Sequence, residues 1–225
     1  MKMTRNRKMH RFLRFTDGVL SRNIVLFGGM MLPSIIMPSV NLKTAVALTG
    51  AMLFSVLFGT AACALISRQE AWVRYIVITL ASLGGVAVSR LAIRLISTEI
   101  FDTLGIYLPL MAVNIIVVIY AADRLRGRGT AAAFGRGLLY VLGFGLVACT
   151  VGLVRELLIG GTVWGVKVAV ISFPAAGTVF FGFMLVAFLG ALMQGLRRGL
   201  MALNLRLDNP TAEELERQRE ERMVD

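Results

Sequence analysis

The sequence predicts an all-α polytopic membrane protein with six transmembrane helices, and three observations lead to this fold class. The 225-residue chain is 57% hydrophobic, only 16% of its residues are charged, and long uncharged runs recur along it. Soluble domains carry charge on about a quarter of their residues, so the composition excludes an ordinary soluble enzyme. The runs lack the strict alternation of a membrane β-barrel. They are close to the length of about 20 apolar residues that a membrane-spanning helix needs.

Six apolar runs are the candidate spans, taken here in chain order. They cover residues 23–42, 44–67, 75–89 with an apolar continuation to Ile96, 103–122, 137–154 and 168–196. We therefore expect a membrane domain at 23–197, preceded by a basic arm at 1–22 and followed by a charged tail at 198–225. In this tail, Thr211 and Glu214 have the spacing of a capping box, which predicts a short helix that faces solvent.

Basic residues cluster on one side of the six-span arrangement. They lie in the arm, in the loop after span two, in the loop after span four and at the start of the tail: Lys2, Arg5, Arg7, Lys8, Arg11, Arg14, Arg22, Arg68, Arg74, Arg124, Arg126, Arg128, Arg136, Arg197 and Arg198. By the positive-inside rule, both termini are expected in the cytoplasm. The net charge of +11 then reflects membrane orientation and contact with anionic lipid headgroups. Nucleic acid is not an expected partner, because the arginines form no continuous face interleaved with aromatic residues.

Two short segments of the chain repeat one pattern. Residues from Gly29 to Pro33 read Gly-Met-Met-Leu-Pro, and residues from Gly105 to Pro109 read Gly-Ile-Tyr-Leu-Pro. Glycine lowers helix stability and proline removes a backbone donor, so each copy is expected to break its helix. The copies lie in spans one and four, which cross the membrane in opposite directions. This arrangement is typical of an inverted three-plus-three repeat with a site near the midplane, although chance is the alternative for so short a motif.

A few polar residues within the apolar runs are the other candidates for function. Arg155 and Glu156 end span five, where they serve either as a structural anchor or as part of an ion path or a partner contact. Asn114 follows the second break and is expected to bond freed backbone groups. Cys63 and Cys149 are interpreted as small packing residues. We find no pattern of a catalytic site, and one histidine with two cysteines is too few to predict a metal site.

Residues Leu104 to Asn114 resemble the fourth span of a family of membrane subunits. The family belongs to the Rnf electron-transport complexes and the related sodium-translocating NADH:quinone reductases (Nqr). Asn23 to Pro33 resembles the first span of this family. Leu153 to Leu158, with Gly160 to Thr162, resembles its Leu-Arg-Glu segment and the Gly-Asn-Gly-Thr that follows. Phe173 to Gly177 resembles the Pro-Pro-Gly that begins its sixth span. Within this family, the chain is most similar to the E component of Rnf, which corresponds to the D component of Nqr.

The resemblance implies that members of this family bind an iron–sulfur cluster, but this chain is not expected to bind it. Two homologous subunits of opposite orientation share one [2Fe–2S] cluster at the midplane, bound by cysteines on the broken helices. In this sequence Leu32 and Ile115 occupy the two cysteine positions, and neither side chain can ligate iron. The chain therefore resembles a divergent member without cluster ligands, and flavin and iron–sulfur clusters are expected in other subunits of the complex.

The resulting functional hypothesis is a non-catalytic subunit of a membrane oxidoreductase complex in the bacterial inner membrane. The chain would support electron transfer coupled to cation transport. Its expected partners are a homologous six-span subunit of opposite orientation, other membrane and flavin subunits, and the lipid bilayer. The alternative is a small six-span transporter or a substrate-binding membrane module. Neighbouring genes would separate the two hypotheses, since flavin and ferredoxin-like subunits favour the first and an ATPase pair favours the second.

Overall fold

The computed structural model describes residues 26, 32–66, 70–113, 130–170 and 172–208. The main helices in this part of the chain are α1 (Leu32–Ile36), α2 (Leu42–Leu65), α3 (Ala71–Ile96), α4 (Thr98–Leu104), α5 (Tyr107–Leu110), α6 (Thr130–Gly160) and α7 (Val179–Asp208). A hairpin of β1 (Thr162–Val163) and β2 (Val166–Lys167) follows α6, and a 3-10 turn (Pro174–Gly177) precedes α7. The protein is therefore helical in nearly all of its regular structure.

Four of these helices are long and apolar enough to cross a membrane, judged by length and composition. They contain the segments Leu42–Cys63, Trp72–Ile96, Gly137–Gly160 and Val179–Leu196, which correspond to predicted spans two, three, five and six. A multi-pass helical membrane protein is thus confirmed. The count of six spans and the inverted repeat stay predictions, because residues 27–31 and 114–129 lie outside the described residues. The arm at 1–22 and the helix predicted at Thr211 lie outside them as well.

Helix α2 packs between α3 and α6 at the centre of the bundle. Glycines on both neighbours make this packing close. A Cβ atom added to Gly85 of α3 would lie 2.5 Å from the carbonyl oxygen of Phe54, and one added to Gly152 of α6 would lie 2.8 Å from that of Asn41. Small residues at such contacts let helix backbones approach each other within a membrane. The start of α2 is therefore held directly against the last third of α6.

One apolar core connects the long helices with the short ones. Its fully buried members include Ile35 and Ile36 of α1, Leu104 of α4 and Leu108 of α5. The long helices contribute Leu48, Met52, Val86, Phe144, Val147 and Val151, among others. Both segments that carry the repeated motif are thus anchored in the same core as the spanning helices.

The first interruption of the helical backbone lies between α1 and α2. Helix α1 ends at Ile36, residues 37–40 form a turn around Pro38, and α2 begins at Leu42. Asn41 caps α2, because its side-chain oxygen accepts a hydrogen bond of 2.9 Å from the Thr44 amide. Pro33 lies inside α1, so this interruption lies after the predicted motif. Residues 29–31 of the motif lie outside the described residues, so a break there stays a prediction.

The second interruption lies at Gly105, between α4 and α5. Gly105 has a φ of +40°, a conformation that glycine adopts without the steric penalty of a side chain. Pro109 lies in the four-residue helix α5, and its carbonyl accepts a bond of 3.0 Å from the amide of Ala112. The backbone is thus irregular through residue 113. Asn114 and Ile115 lie outside the described residues.

The structure differs from the sequence-based prediction in four places. Helix α6 continues to Gly160, so Arg155 and Glu156 lie inside a helix instead of at its end. Arg74, expected in a loop, lies within α3 with 8% of its surface exposed. The hairpin after α6 was not expected, because strands of two residues are too short to produce a hydrophobic alternation. Helix α7 extends across the expected start of the tail at residue 198 and ends at Asp208.

Candidate functional site

The Arg155 side chain bonds the backbone of two separate loops from the inside of the bundle. It is 1% exposed. Its Nη1 donates to the carbonyls of Ile36 and Ser39, at 2.5 and 3.2 Å. Its Nε donates to Ala176 at 3.0 Å, and its Nη2 to Gly177 and Thr178 at 2.7 and 3.4 Å. A guanidinium group has five N–H donors, so every donor of Arg155 has a carbonyl acceptor.

The Glu156 side chain bonds backbone amides on the other side of α6. It is 7% exposed. Its Oε2 accepts a bond of 2.8 Å from the Leu42 amide, and its Oε1 accepts one of 2.7 Å from the Gly165 amide. Leu42 is the first residue of α2, where amides have no partner within the helix. The carboxylate therefore caps α2 from a distant part of the chain and holds the hairpin at the same time.

Arg155 and Glu156 together bond the backbone on both sides of the first interruption. We call these two side chains, together with the backbone groups that they bond, the junction. The cation bonds carbonyls at the end of α1, and the anion bonds an amide at the start of α2. Each charge faces the helix end of opposite partial charge, which is the favourable arrangement for a helix dipole. Buried backbone groups need hydrogen-bond partners. The junction supplies them through the hydrogen bonds of both charged residues.

Backbone groups at the second interruption are hydrogen-bonded by neutral groups. The hydroxyl of Ser55, a fully buried residue of α2, donates a bond of 3.1 Å to the carbonyl of Met111. Local turns bond other backbone groups in this stretch, such as the Met111 amide to the Leu108 carbonyl at 3.1 Å. Each of these bonds has a neutral donor, either a hydroxyl or a backbone amide. The two copies of the motif therefore differ in how their freed backbone groups are bonded.

The hairpin after α6 forms a rigid edge beside the junction. Val163 pairs with Val166, so Trp164 and Gly165 form its two-residue loop. Both loop residues have positive φ, +58° and +82°, as a type I′ turn requires. This conformation is strained for a bulky residue such as tryptophan. The Glu156 bond to the Gly165 amide holds the loop, and the Trp164 side chain remains 49% exposed.

A cavity of about 780 Å³ lies between the hairpin, the start of α2, the end of α3 and α4. We call it the lateral cavity. Its polar lining residues include Lys43, Glu99 and Glu156, and Trp164 of the hairpin also lines it. Apolar side chains of α2 and α3, such as Phe54 and Ile93, line the remainder. The lateral cavity has the size and the mixed lining of a small-molecule site.

The cysteines of the chain do not fit the cluster arrangement that the resemblance implies. Leu32 directly precedes Pro33, is half-buried and packs against the core. Cys63 lies in α2, 21 residues after Leu42, or about 30 Å along the helix from the first interruption. Cys149 of α6 lies beside Thr49 of α2. Thr49 precedes Cys63 by 14 residues, so the two thiols are about 20 Å apart and too distant from each other to bind one cluster together.

Sequence reasoning singled out some residues of this region and missed others. It named Arg155 and Glu156 because charge is rare within apolar runs. It missed Ser55 and Lys43, because a hydroxyl inside an apolar run and a lysine between two runs are common in membrane proteins. It also missed the hairpin, because Gly165 is the one residue of the two-residue loop whose type favours a turn. Two stretches that the resemblance had linked to one family, Leu153 to Leu158 and Phe173 to Gly177, meet residues 36–42 at the junction.

The comparison with protein families gives one match, which covers most of the chain. A family model described as Rnf-Nqr subunit, membrane protein, matches residues 11–193. This range includes both interruptions, the junction, three of the four long apolar segments and most of the fourth. A comparison with curated proteins finds no match.

Proposed function

The chain belongs to the Rnf-Nqr family of membrane subunits, and from this premise we propose that it supports transmembrane electron transfer coupled to cation transport. As a family member it is a membrane subunit of an Rnf/Nqr-type complex of several subunits. Its proposed role is to hold the membrane part of the complex together, without ligands for an iron–sulfur cluster of its own. The observation that carries the proposal is the family match over residues 11–193.

The chemistry at the first interruption supports the view that this chain contributes no cluster ligand. The resemblance implies that one cluster cysteine of the family directly precedes the proline of the first motif, and that the other follows the second motif. Leu32 holds the first of these positions, and Ile115 holds the second in the sequence. Leucine and isoleucine have no donor atom for iron, whereas an iron–sulfur cluster is held by thiolates. Electrons would therefore cross the membrane through cofactors of the other subunits.

The structure of the junction supports a scaffold role. Buried charges that are fully bonded to backbone make a conformation rigid, and breaking such a network is strongly unfavourable. A rigid interruption would give the neighbouring subunit a fixed surface. The proposed neighbour is a homologous six-span subunit of opposite orientation, as the resemblance implies. The proposed location is the bacterial inner membrane, with both termini in the cytoplasm.

The experiment is purification of the complex through a tag on this chain, followed by anaerobic iron and sulfide analysis and EPR. We expect flavin and iron–sulfur subunits to copurify. A double variant, Cys63→Ala with Cys149→Ser, should retain every [2Fe–2S] signal and full donor-driven electron transfer. Copurification without redox subunits would contradict the proposed complex. Loss of a [2Fe–2S] signal in the cysteine-free variant would instead contradict only the absence of cluster ligands.

A transport function on the same scaffold is the second candidate, and the lateral cavity of about 780 Å³ is the observation that favours it. A substrate-binding module would need this cavity to bind a water-soluble substrate. Deletion of the gene distinguishes the candidates. In the first case, the remaining subunits lose electron transfer and cation uptake together. In the second, electron transfer continues and uptake of one solute is lost.

A further inference from the structure

We propose that the lateral cavity binds one zwitterionic phospholipid, with a phosphoethanolamine headgroup between Lys43 and Glu99 and an acyl chain between α2 and α3. The proposal concerns a ligand of this chain and does not depend on its role in electron transfer. It rests on the shape of the cavity, the position of its charges and the geometry of its edge.

The cavity extends from the ends of the helices toward the middle of the membrane. Lys43 lies in the first turn of α2, and Phe54 lies 11 residues further along. The two residues are thus separated by about 16 Å along the helix axis. The deeper lining is apolar and includes Ala47, Phe54 and Ile93. Ala47 and Phe54 are only partly buried by the protein, and an acyl chain in this part would give them further apolar contacts.

Two opposite charges at the mouth of the cavity are without partners in the described part of the protein. Lys43 and Glu99 both line it, and neither side chain forms an ion pair or a hydrogen bond with any residue that the structure describes. Glu156, the third charged residue, already accepts one backbone bond on each carboxylate oxygen. The mouth therefore offers one ammonium group and one carboxylate to a ligand.

This pair of charges selects among lipid headgroups. A phosphate bonds strongly to a lysine ammonium group, and a primary ammonium bonds strongly to a carboxylate. Phosphatidylethanolamine supplies both groups in one molecule. An anionic headgroup such as phosphatidylglycerol would satisfy Lys43 and would leave Glu99 partly desolvated without a partner, which is unfavourable. Charge complementarity thus favours the zwitterionic lipid.

The hairpin places the mouth at the level of lipid headgroups. Tryptophan is enriched at the membrane–water interface, and Trp164 lies at the hairpin loop just after the long helix α6. Its positive φ is a strained conformation that the surroundings must hold. The Glu156 bond to Gly165 provides this hold, and the Lys43 Nζ lies 3.1 Å from the position of a Cβ on Gly165. The junction therefore also fixes the edge of the lipid site.

The test measures lipid retention by the purified full-length protein within its complex. Native mass spectrometry is performed after reconstitution in nanodiscs of phosphatidylethanolamine or phosphatidylglycerol. We expect one phosphatidylethanolamine per chain, and weaker retention of phosphatidylglycerol. Lys43→Gln should lower retention of both lipids about tenfold, whereas Glu99→Gln should lower only that of phosphatidylethanolamine. Lys167→Gln and Asp102→Asn are matched controls, because these exposed residues of the hairpin and of α4 do not line the cavity.

A second variant tests the acyl-chain part without removing a charge. Gly50 lines the cavity, and a Cβ at this position would meet no atom within 4 Å. Gly50→Leu should therefore fold normally, fill the cavity and displace the lipid, whereas Gly135→Leu, at a position with equally open space, should not. The proposal is overturned if the controls lose lipid to the same extent, if both lipids are retained equally by the wild type, or if the cavity retains a quinone or a partner side chain instead of phospholipid.

Discussion

The two interruptions of the bundle show how one sequence pattern can be stabilised by different chemistry. Each lies within or just after a Gly-x-x-Leu-Pro segment, and both lie against one apolar core. The first has its freed groups bonded by a buried cation and a buried anion from α6, which lie 114 to 119 residues away in the sequence. The second is bonded by a serine hydroxyl and by local turns. Similar local sequence therefore does not imply similar dependence on distant residues.

The difference has an energetic consequence. Hydrogen bonds to charged groups contribute about 1.5–3 kcal/mol each, whereas neutral ones contribute about 1 kcal/mol. Arg155 and Glu156 bond seven backbone groups in all. Three of these groups, the carbonyls of Ile36 and Ser39 and the amide of Leu42, lie at the first interruption. At the second, one carbonyl depends on Ser55. Stability should thus be far more sensitive to substitution at the first interruption, and the following variants test this difference.

Replacement of Arg155 is expected to have the largest effect. Arg155→Ala removes five hydrogen bonds to carbonyls, of which only that of Thr178 keeps another donor among the described residues, the Gly182 amide. Disruption of a buried charged network typically costs about 3–5 kcal/mol. Arg155→Lys keeps the charge but offers three donors without the planar geometry, so it should be intermediate. The measurement is thermal unfolding of the purified protein in detergent. Arg198→Ala, at an exposed position, is the control, and equal stability of the two alanine variants would remove the argument for the junction.

Glu156→Gln should have the next largest effect on the stability of the protein. The amide nitrogen of glutamine cannot accept a bond, so either the Leu42 or the Gly165 amide loses its acceptor, at a cost of about 2 kcal/mol. The exposed Glu70, which makes no cap bond at the start of α3, supplies the matched control Glu70→Gln. The ratio of cations moved to electrons transferred should stay unchanged in the active fraction. A lower ratio at unchanged stability would favour the ion-path interpretation of Glu156 instead.

Gly152→Ala tests the helix contact that supports the junction. An added Cβ would lie 2.8 Å from the Asn41 carbonyl oxygen and 3.0 Å from the Cβ of Ala45. Overpacking of this kind costs about 1–3 kcal/mol. At Gly135 of the same helix a Cβ would meet no atom within 4 Å. Gly135→Ala should therefore be neutral or slightly stabilising, and the reverse order of unfolding temperatures would show that α6 is not closely packed against α2.

Ser55→Ala should have the smallest effect and completes the comparison. It removes one neutral bond to the Met111 carbonyl, and the expected loss is about 1 kcal/mol. Thr150→Ala is the control, because the Thr150 hydroxyl bonds the Leu146 carbonyl of its own helix. If Ser55→Ala destabilised the protein as much as Arg155→Ala, the two interruptions would be energetically equivalent and the distinction between them would be wrong.

The sequence predicts those features that depend on composition along a continuous segment. The four long spans follow from uncharged runs, and the interruption at Gly105 follows from a residue that tolerates positive φ. The partners of Arg155 and Glu156 at the first interruption are not predictable in this way, because these bonds connect residues 114 to 119 positions apart without any periodic signal. Pro33 lies within α1, and the chain turns around Pro38. Proline is compatible with the first turn of a helix, so only the surrounding structure decides which proline ends α1.

The bonds of Arg155 also bear on how the protein is made. Ile36 precedes Arg155 by 119 residues, and synthesis at about 5–20 residues per second separates their appearance by roughly 6–24 seconds. Throughout this interval the carbonyls at the end of the first helix segment lack their eventual donor, and they must be bonded by water or by the insertion machinery. The amino-terminal half of the nascent protein can therefore reach its mature conformation only after the helix that contains Arg155 has entered the membrane.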